Sequence, residues 1–465
     1  MGVDNGKATG VFAGADLEHV MSDKKAMRRT VFRLALPVIA EQILQTITQM
    51  ADMVMVGRLG AAAVAAVGLS NQPLMIAQGV FMGIGVGATA LIARFTGASD
   101  RQRADRTASQ ALVISMILAV VMCIGGYVAA PSLVRFMRAE PDVVPLGISY
   151  MRILIPGLFM LVVNMILSAC LRGAGDTRYP LKANLVLNIA NIVGNYAFIY
   201  GNFGAPAMGV AGAALATTLA RSLGAAMLLR HVTSTRAVVH VEDLRRFRFD
   251  FGLIRRILNV GVAASAERVS LSAGLAFYVR IVAALGTVPY AAHAIAINAE
   301  AISYMPSFAF AVSATTMVGQ ALGAERPDLA ERACWECTEL AAWMMAAGGA
   351  LLYVFSEALM RLYVNDIEII RLGAAVLRIM AFAQVPMGVA FVVMGALRGA
   401  GDTKSVLFLA MFSVWCIRLV LAWVFVNVFG MGLAGAWYAM AIDWVARSSI
   451  AIFRFRSGKW RALAV

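Results

Sequence analysis

Apolar runs long enough to cross a bilayer recur along almost the whole chain. A transmembrane helix needs about 20 predominantly apolar residues, and the sequence contains twelve runs of this kind. We number them as spans 1 to 12: they cover 31–57, 66–93, 107–129, 145–170, 180–201, 208–230, 253–285, 291–320, 333–356, 373–396, 405–428 and 433–454. The pattern predicts an all-α integral membrane protein with twelve transmembrane helices.

The two halves of the chain are copies of one unit. The heptapeptide Leu-Arg-Gly-Ala-Gly-Asp-Thr at 171–177 returns letter for letter at 397–403, a shift of 226 positions (397 minus 171), and the same shift carries Glu41 onto Glu267. Six helices are an even number, so both copies begin on the same side of the membrane. We therefore predict two parallel six-helix bundles related by a pseudo-two-fold axis along the membrane normal. The expected parts are a tail (1–30), the first bundle (31–230), a linker (231–252), the second bundle (253–455) and a second tail (456–465).

Composition and charge support a membrane location. Hydrophobic residues make up 61% of the chain and charged residues 14%, with a mean hydropathy of +0.77, whereas soluble proteins carry about 25% charged residues. The net charge of +14 comes from Lys and Arg in alternate loops, which argues against nucleic acid as a partner. By the positive-inside rule both tails and the linker face the cytoplasm. We expect a multi-pass protein of the cell (inner or plasma) membrane.

Motifs for enzymatic chemistry are missing from the sequence. It holds no Gly-x4-Gly-Lys-Ser/Thr phosphate loop, and no Ser/His/Asp or His/Cys set stands out. Cys334 and Cys337 have metal or redox spacing, but no second pair accompanies them. We expect no cofactor and no catalysis, and the sequence favours a transporter.

Acidic residues at lipid depth are the most informative candidates, because an ionised carboxylate there needs a cavity or a partner and often marks an ion path. Asp52 in span 1 is the first choice, since Gln49 and other polar residues lie within one or two turns of it. Glu267 and Glu300 are the candidates in the second bundle. The roles of Glu41, Glu300 and Asp443 stay open, because each could pair with a neighbouring Arg.

Span 5 adds a polar face. Asn191 and Asn195 are four residues apart and share one side of the helix, with Asn188 close to it. A buried amide needs hydrogen-bond partners. The sequence thus predicts a hydrogen-bonded patch inside the first bundle.

Two parallel six-helix copies with the repeated heptapeptide after spans 4 and 10 resemble the multidrug and toxic compound extrusion (MATE) family. Residues 51–57, Ala-Asp-Met-Val-Met-Val-Gly, are similar to its first-helix signature, in which an acid precedes a short apolar run and Gly. Residues 314–320 in span 8 fit it as well. The resemblance extends from about Thr30 to Arg456.

The resemblance implies secondary active efflux of organic cations and other amphipathic drugs, driven by inward H⁺ or Na⁺. It implies two bundles that form a V around a central cavity and alternate between outward and inward states. Asp52 falls on the family's first-helix carboxylate, and its polar partners fall near Asn164, Asn191 and Asn195.

The resemblance also bears on the coupling ion. In the sodium-coupled branch the second bundle carries acids in spans 7 and 10. Glu267 stands about one turn from the first of these positions, and span 10 has no acid near Gln384 and Met387. This pattern favours H⁺ over Na⁺. We hypothesise that Asp52 alternates between a protonated and a charged form and so biases the two states.

Side chains that could surround a drug complete the expected site. The candidates for the cavity wall are Gln49, Tyr278, Tyr304, Gln384 and Met387. The alternative function is a flippase for lipid-linked oligosaccharide or another lipid, which would need a cationic cavity. Buried arginines that could supply one are Arg152, Arg268, Arg280, Arg378 and Arg418. In either case we expect a monomer.

Overall fold

The computed structural model describes residues 23–137, 143–234, 237–241 and 247–463. These residues are almost entirely helical, and no strand occurs among them. We label the twelve long helices α1 to α12. They are α1 Lys24–Gly57, α2 Ala61–Gly97, α3 Arg101–Phe136, α4 Val143–Gly173, α5 Arg178–Tyr200, α6 Val210–Val232, α7 Phe251–Ala283, α8 Thr287–Gly323, α9 Pro327–Val354, α10 Ile367–Gly399, α11 Thr403–Val428 and α12 Gly432–Arg456.

Each predicted span corresponds to one of these helices, which confirms the all-α membrane architecture. Within the described residues, nine helices are long and apolar enough to cross a membrane. The other three, α5, α7 and α12, have 23, 33 and 25 residues. Their length suffices, but asparagines, arginines and acids lower their hydropathy. These three helices carry much of the polar chemistry described below.

The chain divides into two compact units. Unit 1 contains Pro37–Thr96 and Asp100–Ser265. Unit 2 contains the start of α1 as far as Leu36, the turn Gly97–Ser99, and the chain from Ala266 onward. Helix α1 therefore begins in unit 2 and continues in unit 1, while α7 begins in unit 1 and continues in unit 2.

The repeated heptapeptide forms the same turn in both units. Its second glycine adopts a left-handed backbone conformation, with φ +93° at Gly175 and +86° at Gly401. The next amide reaches back to close the turn: Asp176 N donates to Leu171 O at 2.9 Å, and Asp402 N donates to Leu397 O at 2.8 Å. A glycine is needed because other residues rarely adopt this conformation.

The first glycine of the heptapeptide allows two helices to touch. A Cβ at Gly173 would lie 2.7 Å from the carbonyl oxygen of Thr89, and a Cβ at Gly399 would collide with the carbonyl oxygen of Thr315. Each threonine hydroxyl donates to the facing helix, at 2.9 Å from Thr89 Oγ1 to Ala169 O and at 2.8 Å from Thr315 Oγ1 to Gly395 O. The heptapeptide thus locks α2 to α4 in unit 1 and α8 to α10 in unit 2.

The acid of the heptapeptide has different partners in the two copies. Asp176 Oδ1 accepts from the amides of Arg178 and Tyr179, both at 3.0 Å, so it caps the start of α5. Asp402 instead forms an ion pair with Arg454 on α12 at 2.7 Å.

Glycines in α2 also bring helices together, as their alternating spacing indicates. In unit 1, a Cβ at Gly83 or Gly87 would collide with the backbone of α7 at Gly261 or Ile257. Close backbone approach through small residues is a common way to pack membrane helices.

Each unit has its own apolar core. In unit 1, α4 packs along α3 and α6, and α5 packs along α6. In unit 2, α10 packs along α8, α9 and α12. Three features were not predicted from the sequence: the short helix Ser356–Arg361, the 3-10 turn Asn202–Gly204, and two π-helical stretches within α11, Ser413–Arg418 and Val424–Val428.

Candidate functional site

Asp52 lies near the end of α1 with its side chain half-buried. Asn195 on α5 donates from Nδ2 to Asp52 Oδ1 at 2.5 Å. Asn195 is only 1% exposed, so the carboxylate is held by an amide that is shielded from solvent. Such a donor is required, because burial penalises a charged group that has no partner.

A chain of hydrogen bonds extends from Asp52 to α6. Asn195 Nδ2 lies 3.4 Å from Asn191 Oδ1, and Asn191 Nδ2 donates to Thr217 Oγ1 at 3.1 Å. The chain ends where Thr217 Oγ1 donates to Ala213 O at 2.9 Å. We call Asp52, Asn191, Asn195 and Thr217 the Asp52 cluster. In this arrangement Asp52 only accepts hydrogen bonds, as an ionised carboxylate does.

One acceptor in the Asp52 cluster is unused. The oxygen Oδ1 of Asn195 is buried and has no hydrogen-bond partner among the described residues. A buried acceptor without a donor costs about 1–3 kcal/mol. The cluster therefore holds an unfilled acceptor on the same amide that binds the carboxylate.

Arg221 on α6 is the charged neighbour that we did not identify from the sequence. Its positive charge acts on both Asp52 and Tyr150, yet within the described part of the chain it forms no ion pair within 4.0 Å. Arg221 is the first charged residue of α6, after eleven uncharged residues. Five other arginines at lipid depth were named from the sequence, but Arg221, in span 6, was not among them.

Asn164 on α4 binds the backbone of α6 and not Asp52. Its Nδ2 donates to Arg221 O at 2.9 Å and to Met160 O at 2.8 Å. Gly224 leaves room for it, since a Cβ there would lie 2.9 Å from Asn164 Oδ1. Asn164 thus fixes the helix segment that carries Arg221, where we had expected a direct partner of the carboxylate.

The polar stripe predicted along α1 does not converge on Asp52. Gln49 is exposed, as is Gln45 one turn earlier. Thr48 is buried, but its hydroxyl donates to Leu44 O on its own helix at 2.9 Å. The partners of Asp52 come from α5 and not from α1.

In unit 2, Glu300 forms a second buried polar group. Gln384 Nε2 on α10 donates to Glu300 Oε1 at 3.3 Å, and Ser303 Oγ donates to Gln384 Oε1 at 3.0 Å. Glu300 is 4% exposed and Gln384 is fully buried. From the sequence, Glu300 was a candidate for ion coupling and Gln384 a candidate for the cavity wall. The structure joins the two residues into one hydrogen-bonded group.

Other residues expected to line a cavity lie in the core of unit 2. Tyr278 is fully buried and donates from its hydroxyl to Ala436 O at 2.9 Å. Met387 is 2% exposed and belongs to the same core. Tyr304 is half-buried, with its ring 6.3 Å from that of Phe391. Tyr278 and Met387 are thus packed inside unit 2 and have no access from its surface.

Asp443 is neutralised by two arginines. It is fully buried, and its Oδ2 lies 2.6 Å from Arg418 Nη2 and 3.0 Å from Arg447 Nη2. The hydroxyl of Ser413 also donates to it. Both guanidinium groups lie over the ring of Trp444, at 5.5 and 4.5 Å from its centroid. The sequence left open that Asp443 pairs with a neighbouring arginine, and the structure shows that pairing.

The repeated glutamates pair with the repeated arginines. Glu41 lies 3.4 Å from Arg172 and accepts from Asn184 Nδ2 at 2.8 Å. Glu267 lies 2.6 Å from Arg398. Each pair joins the first helix of a copy to its heptapeptide, so Glu267 has the same structural partner as its counterpart Glu41.

The described residues contain no group of three or more His, Cys, Asp or Glu that could hold a metal ion. Cys334 and Cys337 are buried free thiols on α9. Their spacing places two small side chains one turn apart in the core.

Comparison with known proteins agrees with the duplicated helical plan. The MatE family model matches residues 37–197 and again residues 264–424. The probable multidrug resistance protein NorM of Thermotoga maritima is 32% identical over 446 aligned residues, and the match covers 94% of this chain and 94% of its own. The uncharacterized transporter YisQ of Bacillus subtilis is 26% identical, over 93% of this chain and 94% of its own.

Solved structures show the same fold. An outward-facing multidrug resistance MATE family transporter of the MOP superfamily has a TM-score of 0.87 and 27% identity, over 94% of this chain and 97% of its own. A MOP superfamily transporter from Pyrococcus furiosus, described as having a binding pocket of reversed polarity that suggests a different function, gives the same values.

Proposed function

Because the chain belongs to the MatE family of membrane transporters, we propose that it is a cation-coupled antiporter that exports organic cations and other amphipathic drugs from the cytoplasm. The names of its relatives support drug export, since several are multidrug resistance proteins. We further propose that H⁺ is the coupling ion, in preference to Na⁺.

The proposed setting follows from charge and composition. Both termini and the Arg-rich linker face the cytoplasm, because Lys and Arg concentrate in alternate loops. The protein acts as a monomer in the cell membrane and uses no cofactor beyond the coupling ion.

The hydrogen bond between Asp52 and Asn195 carries the proposal. It combines a carboxylate in a membrane helix, a neutral amide as its closest partner, and an unused acceptor on that same amide. When Asp52 takes up a proton, its new O–H needs an acceptor. A half-turn of the Asn195 amide presents Oδ1 to it, so the cluster accommodates either charge state.

Rotation of the Asn195 amide is transmitted to two other helices. Asn191 and Thr217 hydrogen-bond in series with it, so a change at Asp52 on α1 alters the contacts of α5 and α6. Protonation also removes the attraction between Asp52 and Arg221. A proton thereby acts as a ligand that favours one arrangement of these helices over the other.

The preference for H⁺ rests on the chemistry around Asp52. A hard metal cation is held by several oxygen ligands, whereas Asp52 meets an amide N–H donor and the positive charge of Arg221. In unit 2, Asp443 and Glu267 are already paired with arginines. These surroundings suit a carboxylate that titrates better than one that binds a bare cation.

The energetics are adequate for this exchange. Export of one monovalent cation against import of one proton moves no net charge across the membrane. The pH difference then drives transport with about 1.4 kcal/mol per pH unit. The membrane potential, about 2.3 kcal/mol per charge at 100 mV, contributes only if the stoichiometry differs.

The test is Asp52→Asn in proteoliposomes loaded with ethidium, with the pH and sodium gradients imposed separately. We expect the wild type to respond to the pH gradient, and D52N to lose that response by at least about tenfold, since the variant cannot change charge. Asp328→Asn is the matched control, because Asp328 is an exposed acid paired with Arg326.

Two results would contradict the proposal. Undiminished proton-driven efflux by D52N would exclude Asp52 from coupling. Efflux by the wild type that follows the sodium gradient alone would exclude H⁺ as the coupling ion.

The flippase alternative loses part of its basis. Arg418, one of the arginines expected to supply a cationic cavity, forms an ion pair with Asp443 at 2.6 Å, and Arg378 is paired with Glu357 at 2.9 Å. The charges of these two arginines are balanced within the protein.

A further inference from the structure

Helices α7 and α11 of unit 2 enclose a groove of about 560 Å³ that no part of the transport scheme uses. We call it the α7–α11 groove. Its walls include Phe277 and Arg280 on α7, Ala284 directly after the end of that helix, and Leu419, Trp423 and Asn427 on α11. The volume lies within the range of sites that take drug-sized ligands.

The groove exists because the two helices touch at one level and separate beyond it. A Cβ at Gly274 would collide with Val414, and Trp415 Nε1 donates to Ser270 Oγ at 2.9 Å. Phe277 packs edge-on against Trp415, with ring centroids 5.5 Å apart. This contact closes one end of the groove.

The backbone of α11 is irregular along the groove. Two π-helical stretches, Ser413–Arg418 and Val424–Val428, flank Leu419 and Trp423, and the second stretch contains Asn427. Such π-turns insert extra residues into a helix and are frequent at functional sites. The groove therefore coincides with a local departure from regular α-helix.

At the open end of the groove, the guanidinium of Arg280 has no acidic partner among the described residues. Arg280 lies in the last turn of α7, and in the described part of the chain its guanidinium forms no ion pair with Asp or Glu. The side chain of Asn427 lies close to the end of α11. Both helices end here, at the depth where a span reaches the lipid headgroups.

The sides of the groove are apolar and exposed. Phe277 is 51% exposed and Trp423 54%, and Leu419 continues the same surface. Exposed apolar surface next to a cation fits a ligand that has an anionic head and a hydrocarbon tail.

We propose that the α7–α11 groove binds a membrane phospholipid with an anionic headgroup. Its phosphate lies on Arg280 and its acyl chain lies along Phe277, Leu419 and Trp423. A phospholipid satisfies the charge of Arg280 and covers the apolar wall at once, which a small inorganic anion does not. This site is independent of Asp52 and of the coupling ion.

Quenching of Trp423 fluorescence by brominated lipid tests the proposal. The full-length protein is reconstituted in phosphatidylcholine vesicles with a rising fraction of phosphatidylglycerol brominated in its acyl chains. Because the chain has 7 Trp, the signal of Trp423 is obtained by subtracting that of Trp423→Phe. The same series with brominated phosphatidylcholine measures general lipid contact.

We expect half-maximal quenching of Trp423 at a mole fraction about tenfold lower for phosphatidylglycerol than for phosphatidylcholine, because the choline ammonium offsets the charge of its phosphate and weakens its attraction to Arg280; a tenfold ratio corresponds to about 1.4 kcal/mol. In Arg280→Gln we expect half-maximal quenching at the same mole fraction for both lipids. Arg135→Gln, a matched exposed arginine in the last turn of α3, leaves the difference in place.

A second variant keeps the proposal testable if R280Q does not fold. Ala284→Phe keeps the charge but fills the groove, and we expect it to reduce quenching of Trp423 by both lipids. Equal mole fractions for the two lipids in the wild type would overturn the proposal, because Trp423 would then only face bulk lipid. An unchanged lipid preference in a folded R280Q would overturn it as well.

Discussion

Asp52 in unit 1 and Asp443 in unit 2 are both carboxylates in membrane helices, yet their surroundings differ in kind. Asp443 is fully buried between Arg418 and Arg447. Asp52 is half-buried and has a neutral amide as its closest partner. Protonation of Asp443 would leave two arginines without a counter-charge, whereas protonation of Asp52 exchanges one hydrogen bond for another. A carboxylate can serve as a switch when its partners are neutral, and burial alone does not identify it.

The largest expected effect on stability comes from removing the charge of Asp443, the carboxylate that lies between two arginines. Asp443→Asn leaves Arg418 and Arg447 unpaired in the interior, and we expect it to lower the free energy of unfolding by about 3–5 kcal/mol. Thermal unfolding in detergent measures this as a clear fall in Tm. D52N, by comparison, leaves Tm nearly unchanged.

The double variant D443N and Arg447→Met is the matched control, because it removes one of the two stranded charges and recovers part of the loss. If D443N unfolds at the wild-type temperature but no longer transports ethidium, Asp443 is a coupling residue and the contrast with Asp52 fails.

The repeated ion pairs give a smaller difference between the units. Glu267 lies 2.6 Å from Arg398 and has no amide partner among the described residues, while Glu41 lies 3.4 Å from Arg172 and also binds Asn184. We expect Glu267→Gln to cost about 2 kcal/mol and Glu41→Gln about 1 kcal/mol. Thermal unfolding of the two variants side by side tests the order.

Equal losses would show that distance does not set the strength of these pairs. Loss of proton-driven efflux in E267Q with unchanged Tm would return Glu267 to the coupling role that the sequence first suggested.

The last comparison concerns transport alone and tests the role of the amide beside Asp52. Asn195→Leu has a similar volume but cannot donate to the carboxylate. We expect it to lower proton-driven efflux about tenfold, the effect of losing one hydrogen bond to a charged group. Initial efflux rates in proteoliposomes measure it. Asn188→Leu on the same helix is the control, and an equal loss in both variants would mean that α5 is simply destabilised.

Much of the fold could be predicted because it depends on local sequence. The helices follow from apolar runs, and the repeated turn follows from glycines that tolerate left-handed backbone or close contact. Asn191 and Asn195 were identified because four residues bring side chains to one helix face. Arg221 was not identified, because its meeting with Asp52 depends on how α6 packs beside α1 and not on its local sequence.

Partner choice could not be predicted in the same way. Glu267 and Arg398 are 131 positions apart, as are Glu41 and Arg172, and nothing in their local sequence indicates that they meet. Tyr278 and Met387 have residue types suited to a cavity wall, but the packing of α12 and α10 turned them into core.

The sequence by itself determined that this protein is a duplicated bundle of membrane helices with few acids at lipid depth, because hydropathy and repeats are properties of the chain. Only the tertiary structure decided which acid stands beside an amide and which stands between arginines. The physical reason is that the cost of a buried charge depends on atoms within a few ångströms, and those atoms come from helices distant in sequence.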